Sequence, residues 1–291
     1  MTRLAGIELG GTKVVAVLGQ GTTMVERIEC PLGPPGQTLG WLEQQIDQWH
    51  AAAPLAALGI ASFGPIGLDP ARADHGRLMR TTKPGWSGVD VRGALARSFA
   101  GPIALHTDVT AAALAEGRLG AARGCDDFAY MTVGTGVGVG IIVGGAPLPG
   151  RLHPEAGHIR MARIEGDAFA GSCPFHGDCL EGLASGPAIA ARAGQAGEAL
   201  GDDDDVWKFV IDALAQGCAT LLLTLSSERI VLGGGVINAR PWLVEAVARR
   251  TAEHLGGYLS VVTDRAPLAL AVLGQDAGPV GALILAESAL N

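Results

Sequence analysis

The hydrophobic pattern of the first third of the chain predicts strands that are joined by a glycine turn. Residues 4–19 form a strand, a turn and a second strand, because β-branched residues lie on both sides of Gly10 and Gly11. Residues 24–30 can add a third strand, and residues 37–53 form a helix that Pro54 ends. The apolar positions of this helix recur at helical spacing: Leu39, Leu42, Ile46 and Trp49.

The middle of the chain repeats part of this pattern. Residues 57–64 are a short buried strand, and residues 102–108 are a strand that ends at Asp108, followed by an alanine-rich helix over 109–122. Residues 128–145 form a second hairpin with glycines at its turn, and it is similar to the first hairpin. This internal likeness predicts two similarly built halves that face one ligand.

The last third alternates between strands and helices. Four aspartates at 202–205 precede an apolar helix of about twenty residues, where their charges complement the positive end of the helix dipole. The later elements alternate in type: strand 228–235, helix 241–255, strand 267–273 and a final helix from about Gly278. Strands that alternate with helices predict an α/β architecture with parallel strands at its core and two lobes that divide near residue 117.

Charge and composition exclude several classes of protein. Of the 291 residues 48% are apolar, but no run approaches the roughly 18 apolar residues of a membrane span, and no secretory signal precedes the first strand. The net charge is −8 and the cations are not clustered, so we expect no nucleic-acid partner. Single, scattered cysteines at 30, 125 and 218 argue against a disulfide framework, and we expect a cytoplasmic protein.

The glycine clusters are the first candidates for ligand binding. The 44 glycines, about twice the usual share, concentrate at 10–11, 134–140 and 233–235, where apolar runs end. None has the spacing of a P-loop or of a dinucleotide fingerprint. Each could be an ordinary hairpin turn. Two Gly-Thr hairpins and a third glycine cluster could also form a clamp for a polyphosphate, because such turns expose backbone amides.

Asp108 lies between a strand and a helix and has two interpretations. Ligands of an open α/β sheet bind at the carboxyl ends of its strands, where a carboxylate can accept a proton from a substrate hydroxyl. Aspartate is also a common N-cap residue, so Asp108 could simply cap the helix that follows.

The spacing Cys173-x2-His176-x2-Cys179 predicts a metal site. Thiolates and imidazoles are the ligands that zinc prefers in a tetrahedral array, and either His153 or His158 could be the fourth ligand. Four protein ligands leave no open position for water, which is typical of a structural zinc. The two cysteines could alternatively be core thiols.

Glu155 and Glu181 flank the proposed metal ligands. They could be ordinary solvated carboxylates. A metal ion that joins the two segments would, however, also fix both carboxylates, which are good acceptors for sugar hydroxyls.

The motifs together resemble the ROK sugar kinases (repressor, open reading frame, kinase), within which the fructokinase branch is the most similar. The resemblance covers almost the full length of the chain. The motifs that carry it are GIELGGTK, SFGPIGLDP at 62–70, TTKPGWSGVDV at 81–91, TDVTAAALAEG at 107–117, TVGTGVGVG at 132–140, HPEAGH at 153–158, CPFHGDCLEGLASGPAI at 173–189 and IVLGGGVI at 230–237.

The resemblance implies a two-lobed actin-like ATPase (ribonuclease H-like) fold with an interlobe cleft. The N-terminal lobe would span 1–117 and the C-terminal lobe 118–291, with the last helix a candidate to pack back on the first lobe. It also implies transfer of the γ-phosphoryl group of ATP to the 6-hydroxyl of a hexose, most simply D-fructose. Mannokinase, glucokinase, a broad hexokinase and a non-catalytic sugar-binding regulator are the alternatives. Because only about five residues precede the first glycine hairpin, we expect no helix-turn-helix module.

The same resemblance assigns roles to individual residues. Asp108 is the implied catalytic base. The implied sugar contacts are Glu155, His158, Glu181, Thr107, Gly64 and Pro65. The implied nucleotide contacts are Gly10, Gly11, Thr12, Lys13, Thr135 and Gly136 at the phosphates, with Pro187, Gly233, Gly234, Gly235, Val236 and Ile237 on the adenosine side. The implied ligands of a structural Zn²⁺ are His158, Cys173, His176 and Cys179.

The family pattern also implies Mg²⁺ with ATP, a homodimer, and no membrane or nucleic-acid partner. Three positions depart from it. Thr107 precedes the catalytic aspartate where many members have asparagine, Thr110 replaces an asparagine, and Gly88 replaces a polar residue. These departures concern the choice of sugar.

Overall fold

The computed structural model describes residues 2–262 and 264–290 and has the predicted α/β class. The strands are β1 (Arg3–Leu9), β2 (Lys13–Gln20), β3 (Thr23–Pro31), β4 (Ala57–Ser62), β5 (Ile103–Thr107), β6 (Phe128–Val133), β7 (Val137–Val143), β8 (Ala146–Pro147), β9 (Arg229–Gly233) and β10 (Leu268–Leu270). The helices are α1 (Pro35–Ala52), α2 (Val91–Leu95), α3 (Asp108–Leu119), α4 (Leu180–Ala184), α5 (Gly186–Ala193), α6 (Val206–Leu225), α7 (Gly235–Ala239), α8 (Trp242–Leu255) and α9 (Ala277–Ser288).

The chain divides into two compact units. The first comprises Met1–Ala115, Pro147–Pro154 and Gln275–Asn291, and the second comprises Glu116–Ala146 and Glu155–Gly274. Each unit is built on one five-stranded sheet.

The sheet of the first unit has the strand order β3-β2-β1-β4-β5. β1, β2 and β3 are antiparallel, whereas β1, β4 and β5 are parallel. Both faces are covered, which explains why residues 14–18 of β2 are all apolar instead of alternating. Val14 and Ala16 belong to the core cluster that contains Leu42 and Ile46 of α1, and Val17 packs on the opposite face with residues of α9.

The last helix, α9, packs on β1 and β4 of this sheet. Two glycines permit the close approach. A Cβ at Gly59 would overlap the carbonyl of Ala282, and a Cβ at Gly281 would overlap the carbonyl of Ala111 in α3. Helix α9 therefore belongs to the first unit although it lies at the end of the chain.

The sheet of the second unit repeats the strand order of the first. Its order is β10-β9-β6-β7-β8, in which β6 and β7 are antiparallel and β6, β9 and β10 are parallel. In each sheet, the first strand of the glycine-turn hairpin is followed on its other side by two parallel strands. These are β4 and β5 beside β1, and β9 and β10 beside β6. The predicted internal repeat is confirmed.

Helix α6 corrects one expectation from the sequence. It has 20 residues and is long and apolar enough to cross a membrane by length and composition, but 67% of its most apolar window is buried inside the protein. It packs against α8 and α4, and its buried Asp212 accepts a hydrogen bond from Arg250 Nε at 2.6 Å. Helix α6 is therefore a core helix of the second unit.

Candidate functional site

One edge of the first sheet brings together three of the predicted site segments. Leu9 of β1 pairs with Ser62 of β4, and Ser62 pairs with Thr107 of β5, so the three residues form one row at the carboxyl ends of the parallel strands. Gly10 and Asp108 follow directly at two ends of this row. Neighbouring strands lie about 4.8 Å apart, and β4 lies between β1 and β5. The backbones of Gly10 and Asp108 are therefore on the order of 10 Å apart.

The helix cap at this edge is Thr107, and this finding bears on the two interpretations of Asp108. Thr107 is 2% exposed, and its hydroxyl oxygen accepts a hydrogen bond from Thr110 N at 3.4 Å and lies 2.9 Å from Thr110 Oγ1. Asp108 is the first residue of α3 and accepts a hydrogen bond from Val109 N at 2.8 Å. Because Thr107 fills the capping position, the need for a helix cap does not account for Asp108.

Glu8 is a second carboxyl group near Asp108 that the sequence interpretation missed. Burial is the main cause that raises its pKa from 4.5 to about 7, and the charge of Asp108 raises it further, against the opposing charges of Lys13 and Arg27. A Cβ at Gly278 would overlap its carboxylate, so this side chain lies against the start of α9. An acid between the apolar residues Ile7 and Leu9 of β1 was the signal in the sequence.

The turn between β1 and β2 is a tight hairpin. Gly10 N donates to Lys13 O at 2.9 Å, and Thr12 O accepts a hydrogen bond from Leu32 N at 2.9 Å. Lys13 is engaged elsewhere, since its Nζ lies 3.4 Å from Glu29 Oε2.

Gly64 and Pro65 follow β4 at the same edge and are joined by a cis peptide bond. Pro65 O accepts a hydrogen bond from Met79 N at 2.8 Å. The two predicted sugar-binding residues therefore belong to the loop structure that extends from β4 toward residue 79.

His153 belongs to the first unit, in contact with His106. The two imidazole rings pack edge to face with centroids 6.2 Å apart. Burial, followed by the charge of His153, lowers the pKa of His106 to about 4. Of the two histidines that the sequence offered as a fourth metal ligand, His153 is occupied in this ring pair.

The second unit contains a cavity of about 480 Å³, within the size range of small-molecule sites. Four predicted nucleotide-binding residues line it, namely Thr135, Pro187, Gly235 and Val236. Gly136, Gly233, Gly234 and Ile237 are not among its lining residues. Gly234 has φ +90° and makes the turn between β9 and α7, and Ile237 is fully buried behind it.

Arg240 and Trp207 are two further lining residues that the sequence interpretation missed. The guanidinium group of Arg240 lies 4.5 Å from the centroid of the Trp207 ring. It also donates hydrogen bonds to Gly197 O at 2.9 Å and Leu200 O at 2.7 Å. Arg240 thus stabilises the segment around residues 197–200, which forms one wall of the cavity. In the sequence, the only signal for it was a lone arginine after the third glycine cluster.

A second cluster in this unit could hold a metal ion. It consists of His158, Cys173, His176 and Cys179, whose potential ligand atoms all lie within 4.8 Å of one another. Cys173 Sγ is 3.7 Å from His158 Nδ1 and 3.7 Å from His176 Nδ1, and Cys179 Sγ is 3.5 Å from His158 Nδ1. For tetrahedral zinc, with Zn–S near 2.3 Å and Zn–N near 2.0 Å, the sulfur–nitrogen distance is about 3.6 Å. The donor set and its spacing therefore fit such an ion.

The backbone of the cysteine loop is folded to present these ligands. Cys173 N donates to Gly177 O at 3.1 Å, and Gly177, at φ +67°, donates back to Cys173 O at 2.9 Å. Burial is the largest cause that raises the pKa of the Cys179 thiol to about 11, so a bound cation is what would favour its thiolate form.

Glu181 lies against the second glycine turn. Its Oε2 accepts a hydrogen bond from Val137 N at 3.1 Å, and a Cβ at Gly136 would lie only 2.5 Å from the same oxygen. Glu155 is exposed at the start of the short 3₁₀ helix Ala156–His158. Within the second unit, the structure places Glu181 near the predicted phosphate turn.

Two sheets with the same strand order, each with a glycine hairpin, define an α/β protein of the actin-like ATPase fold, as predicted. The family model described as the ROK family matches residues 4–289. The chain belongs to the ROK family.

Two relatives and one solved structure illustrate the similarity. A fructokinase of Pediococcus pentosaceus is 40% identical over 289 residues, which cover 99% of each chain. A fructokinase of Zymomonas mobilis is 38% identical over 294 residues, which cover 98% of this chain and 96% of that protein. The crystal structure of a ROK hexokinase from Thermus thermophilus is 27% identical, covers 99% of each chain and superposes with a TM-score of 0.80.

Proposed function

We propose that this protein transfers the γ-phosphoryl group of ATP to the 6-hydroxyl of a hexose, with D-fructose as the preferred acceptor. The observation that carries the proposal is the position of Asp108 on the same sheet edge as the Gly10–Gly11 turn. A carboxylate that can accept a hydroxyl proton therefore lies near backbone amides that can bind phosphate. The similarity to proteins named fructokinase, at 34–40% identity over most of the chain, supports fructose as the acceptor.

In this mechanism each residue has a separate task. Asp108 orients the sugar hydroxyl and takes its proton, which contributes roughly 10²- to 10⁴-fold to the rate. The turns Gly10–Lys13 and Thr135–Gly136 hold phosphate oxygens through backbone amides. Mg²⁺, when bound with ATP, neutralises charge on the phosphates. The cavity bounded by Pro187, Gly235 and Val236 accepts the adenosine.

We assign the metal cluster to a structural Zn²⁺. Four protein ligands would fill a tetrahedral site, which leaves no position for a reacting water. The ion would instead fix the cysteine loop and the 3₁₀ turn of His158, and with them Glu181 and Glu155 as sugar contacts. The wider setting that we propose is a cytoplasmic homodimer with a sugar- and phosphate-binding N-terminal lobe and an adenosine-binding C-terminal lobe.

An ATP-dependent phosphorylation panel tests the function. Fructose, mannose, glucose and N-acetylmannosamine are each incubated with MgATP, ADP release is followed, and the product is identified by phosphorus NMR. Zinc and other metals are measured on the same preparation. We expect the highest kcat/KM with fructose and about one zinc per chain. Preference for another hexose would make the protein a mannokinase, glucokinase or broad hexokinase, and no phosphorylation of any sugar would indicate a non-catalytic sugar-binding protein.

A further inference from the structure

The chain has three lysines, at 13, 83 and 208, and their surroundings differ. Lys13 Nζ lies 3.4 Å from Glu29 Oε2, and Lys208 Nζ lies 3.4 Å from Asp205 Oδ1. Across residues 2–262 and 264–290, Lys83 forms no ion pair. Its positive charge is therefore not neutralised by a protein carboxylate.

The ammonium group of Lys83 lies against the first glycine turn. A Cβ at Gly11 would be 3.2 Å from Lys83 Nζ and 3.5 Å from Lys83 Cε. A side chain at this position would crowd the ammonium group, so glycine at position 11 leaves space for it. The backbone of the turn and the cation thus face the same region of the first unit.

The loop that carries Lys83 is held rigidly at this place. Trp86 is 1% exposed, and its indole Nε1 donates a hydrogen bond to Gly33 O at 3.1 Å. Its ring packs edge to face on Phe63, the residue that follows β4, with centroids 5.4 Å apart. Trp86 N donates to Lys83 O at 3.1 Å. The lysine backbone is therefore anchored to the edge that also contains Gly10 and Asp108.

A phosphate bound at this edge of the sheet would be repelled by nearby carboxylates unless a cation offset the negative charge. Glu8 and Asp108 are both acidic, and a polyphosphate adds further negative charge. Backbone amides supply hydrogen bonds but no net charge, and Lys13 is paired with Glu29. A lysine ammonium aimed at a developing anion is a strong electrostatic contributor to phosphoryl transfer.

We propose that Lys83 is a catalytic residue whose ammonium group binds the transferring phosphoryl group at the Gly10–Gly11 turn. During transfer, the bond from the γ-phosphorus to the oxygen that bridges to the β-phosphate breaks. A bond forms from the γ-phosphorus to the sugar 6-oxygen, whose proton passes to Asp108. ADP leaves with the bridging oxygen and its electron pair, and Lys83 stays protonated throughout. This inference rests on the proposed function.

The test compares Lys83→Met and Lys83→Arg with the matched control Lys208→Met, whose lysine is exposed on α6. With fructose and MgATP, we expect Lys83→Met to lower kcat about 100-fold or more, as loss of an anion-stabilising donor does elsewhere. Lys83→Arg should recover part of the rate because it keeps the charge, and Lys208→Met should match the wild type. Fructose affinity, measured by calorimetry, should be the same in all four proteins.

A loss of structure would give a different result, namely a lower melting temperature and weaker fructose binding in Lys83→Met. If this variant does not fold, kcat is measured on Lys83→Gln. A Lys83 variant that is neutral, folded and as fast as the wild type overturns the proposal.

The role of Lys83 can also be tested if the protein proves not to be a sugar kinase. Should the wild type phosphorylate none of the four sugars, the decisive probe becomes tripolyphosphate, whose effect on the melting temperature needs no turnover. We then expect it to raise the melting temperature of the wild type and of Lys208→Met, but not of Lys83→Met. An equal shift in all three proteins, or no shift in the wild type, overturns the role of Lys83.

Discussion

Glu181 and Val137 are joined by a hydrogen bond from the Val137 amide to Glu181 Oε2 at 3.1 Å. Glu181 lies two residues after Cys179, whereas Val137 begins β7 beside the second glycine turn. A Cβ at Gly157 would overlap the carbonyl of Val137, so the segment of His158 packs on the same strand end. The His/Cys cluster and the second glycine turn therefore pack against each other in the second unit.

This contact leads to a specific prediction for the proposed zinc site. We expect Cys179→Ser to bind less than one tenth of the zinc of the wild type, because a hydroxyl is a far poorer zinc ligand than a thiolate. Fructose affinity should also fall, since His158 and Glu181 are no longer fixed. Metal content by mass spectrometry and fructose binding by calorimetry measure the two effects.

The matched control is Cys125→Ser, which changes the same atom outside the cluster. It should keep both its zinc and its fructose affinity. A metal-free Cys179→Ser protein that binds fructose as tightly as the wild type would show that the ion does not orient the sugar contacts.

Asp108→Asn keeps the size of the side chain and removes the basic oxygen. We expect kcat to fall by roughly 10²- to 10⁴-fold, while fructose affinity changes little. Steady-state kinetics and calorimetry separate the two quantities. Asp47→Asn, an exposed position on α1, is the control and should have wild-type kinetics. Near-normal turnover in Asp108→Asn would exclude the carboxylate as the base.

Arg240→Met tests whether the cavity wall determines nucleotide affinity. The variant loses the hydrogen bonds to Gly197 O and Leu200 O, so the wall that they hold becomes less ordered. We expect KM for ATP to rise about tenfold, the equivalent of about one charge-assisted hydrogen bond, with kcat within about threefold. Arg249→Met, an exposed arginine on α8, should leave both constants unchanged. An unchanged KM in Arg240→Met would separate this wall from nucleotide binding.

Glu8 makes stability depend on pH in a predictable direction. Its carboxyl group has a pKa of about 7 in the folded protein and 4.5 as the reference value. Between these values the unfolded chain releases the proton and the folded chain retains it, so unfolding becomes easier as the pH rises. This effect amounts to at most about 3 kcal/mol by pH 7.

The measurement is urea denaturation of the ligand-free protein from pH 5 to pH 8. The free energy of unfolding of Glu8→Gln minus that of the wild type should increase as the pH rises. This difference should level off above about pH 7. Glu26→Gln, exposed on β3, should follow the wild type. A constant difference between Glu8→Gln and the wild type across this range would contradict the raised pKa.

Much of the fold was predictable because its signals are local. Apolar periodicity predicted α1, and glycine clusters predicted the turns of both hairpins. The His/Cys cluster was predictable because three of its residues lie within one short loop, but the choice of His158 over His153 depends on which segment folds back to the cysteines.

The features that were missed depend on contacts between distant segments. Arg240 touches residues about forty positions earlier, and Lys83 reaches a turn more than seventy positions earlier. The raised pKa of Glu8 depends on burial by α9, from the end of the chain. No local pattern encodes such proximity. The capping role of Thr107 was missed for a different reason, since both Thr107 and Asp108 are residue types that cap helices.

The shared strand order of the two sheets allows equivalent positions in the two units to be compared. Equivalent positions in the two halves carry different side chains: β5 is followed by Asp108, whereas β10, its counterpart, is followed by Ala271. In the proposed mechanism, the repeated strand order with unequal ends gives the catalytic aspartate to one unit and the adenosine cavity to the other. The two units therefore share a backbone arrangement, and they differ in the side chains at the ends of equivalent strands.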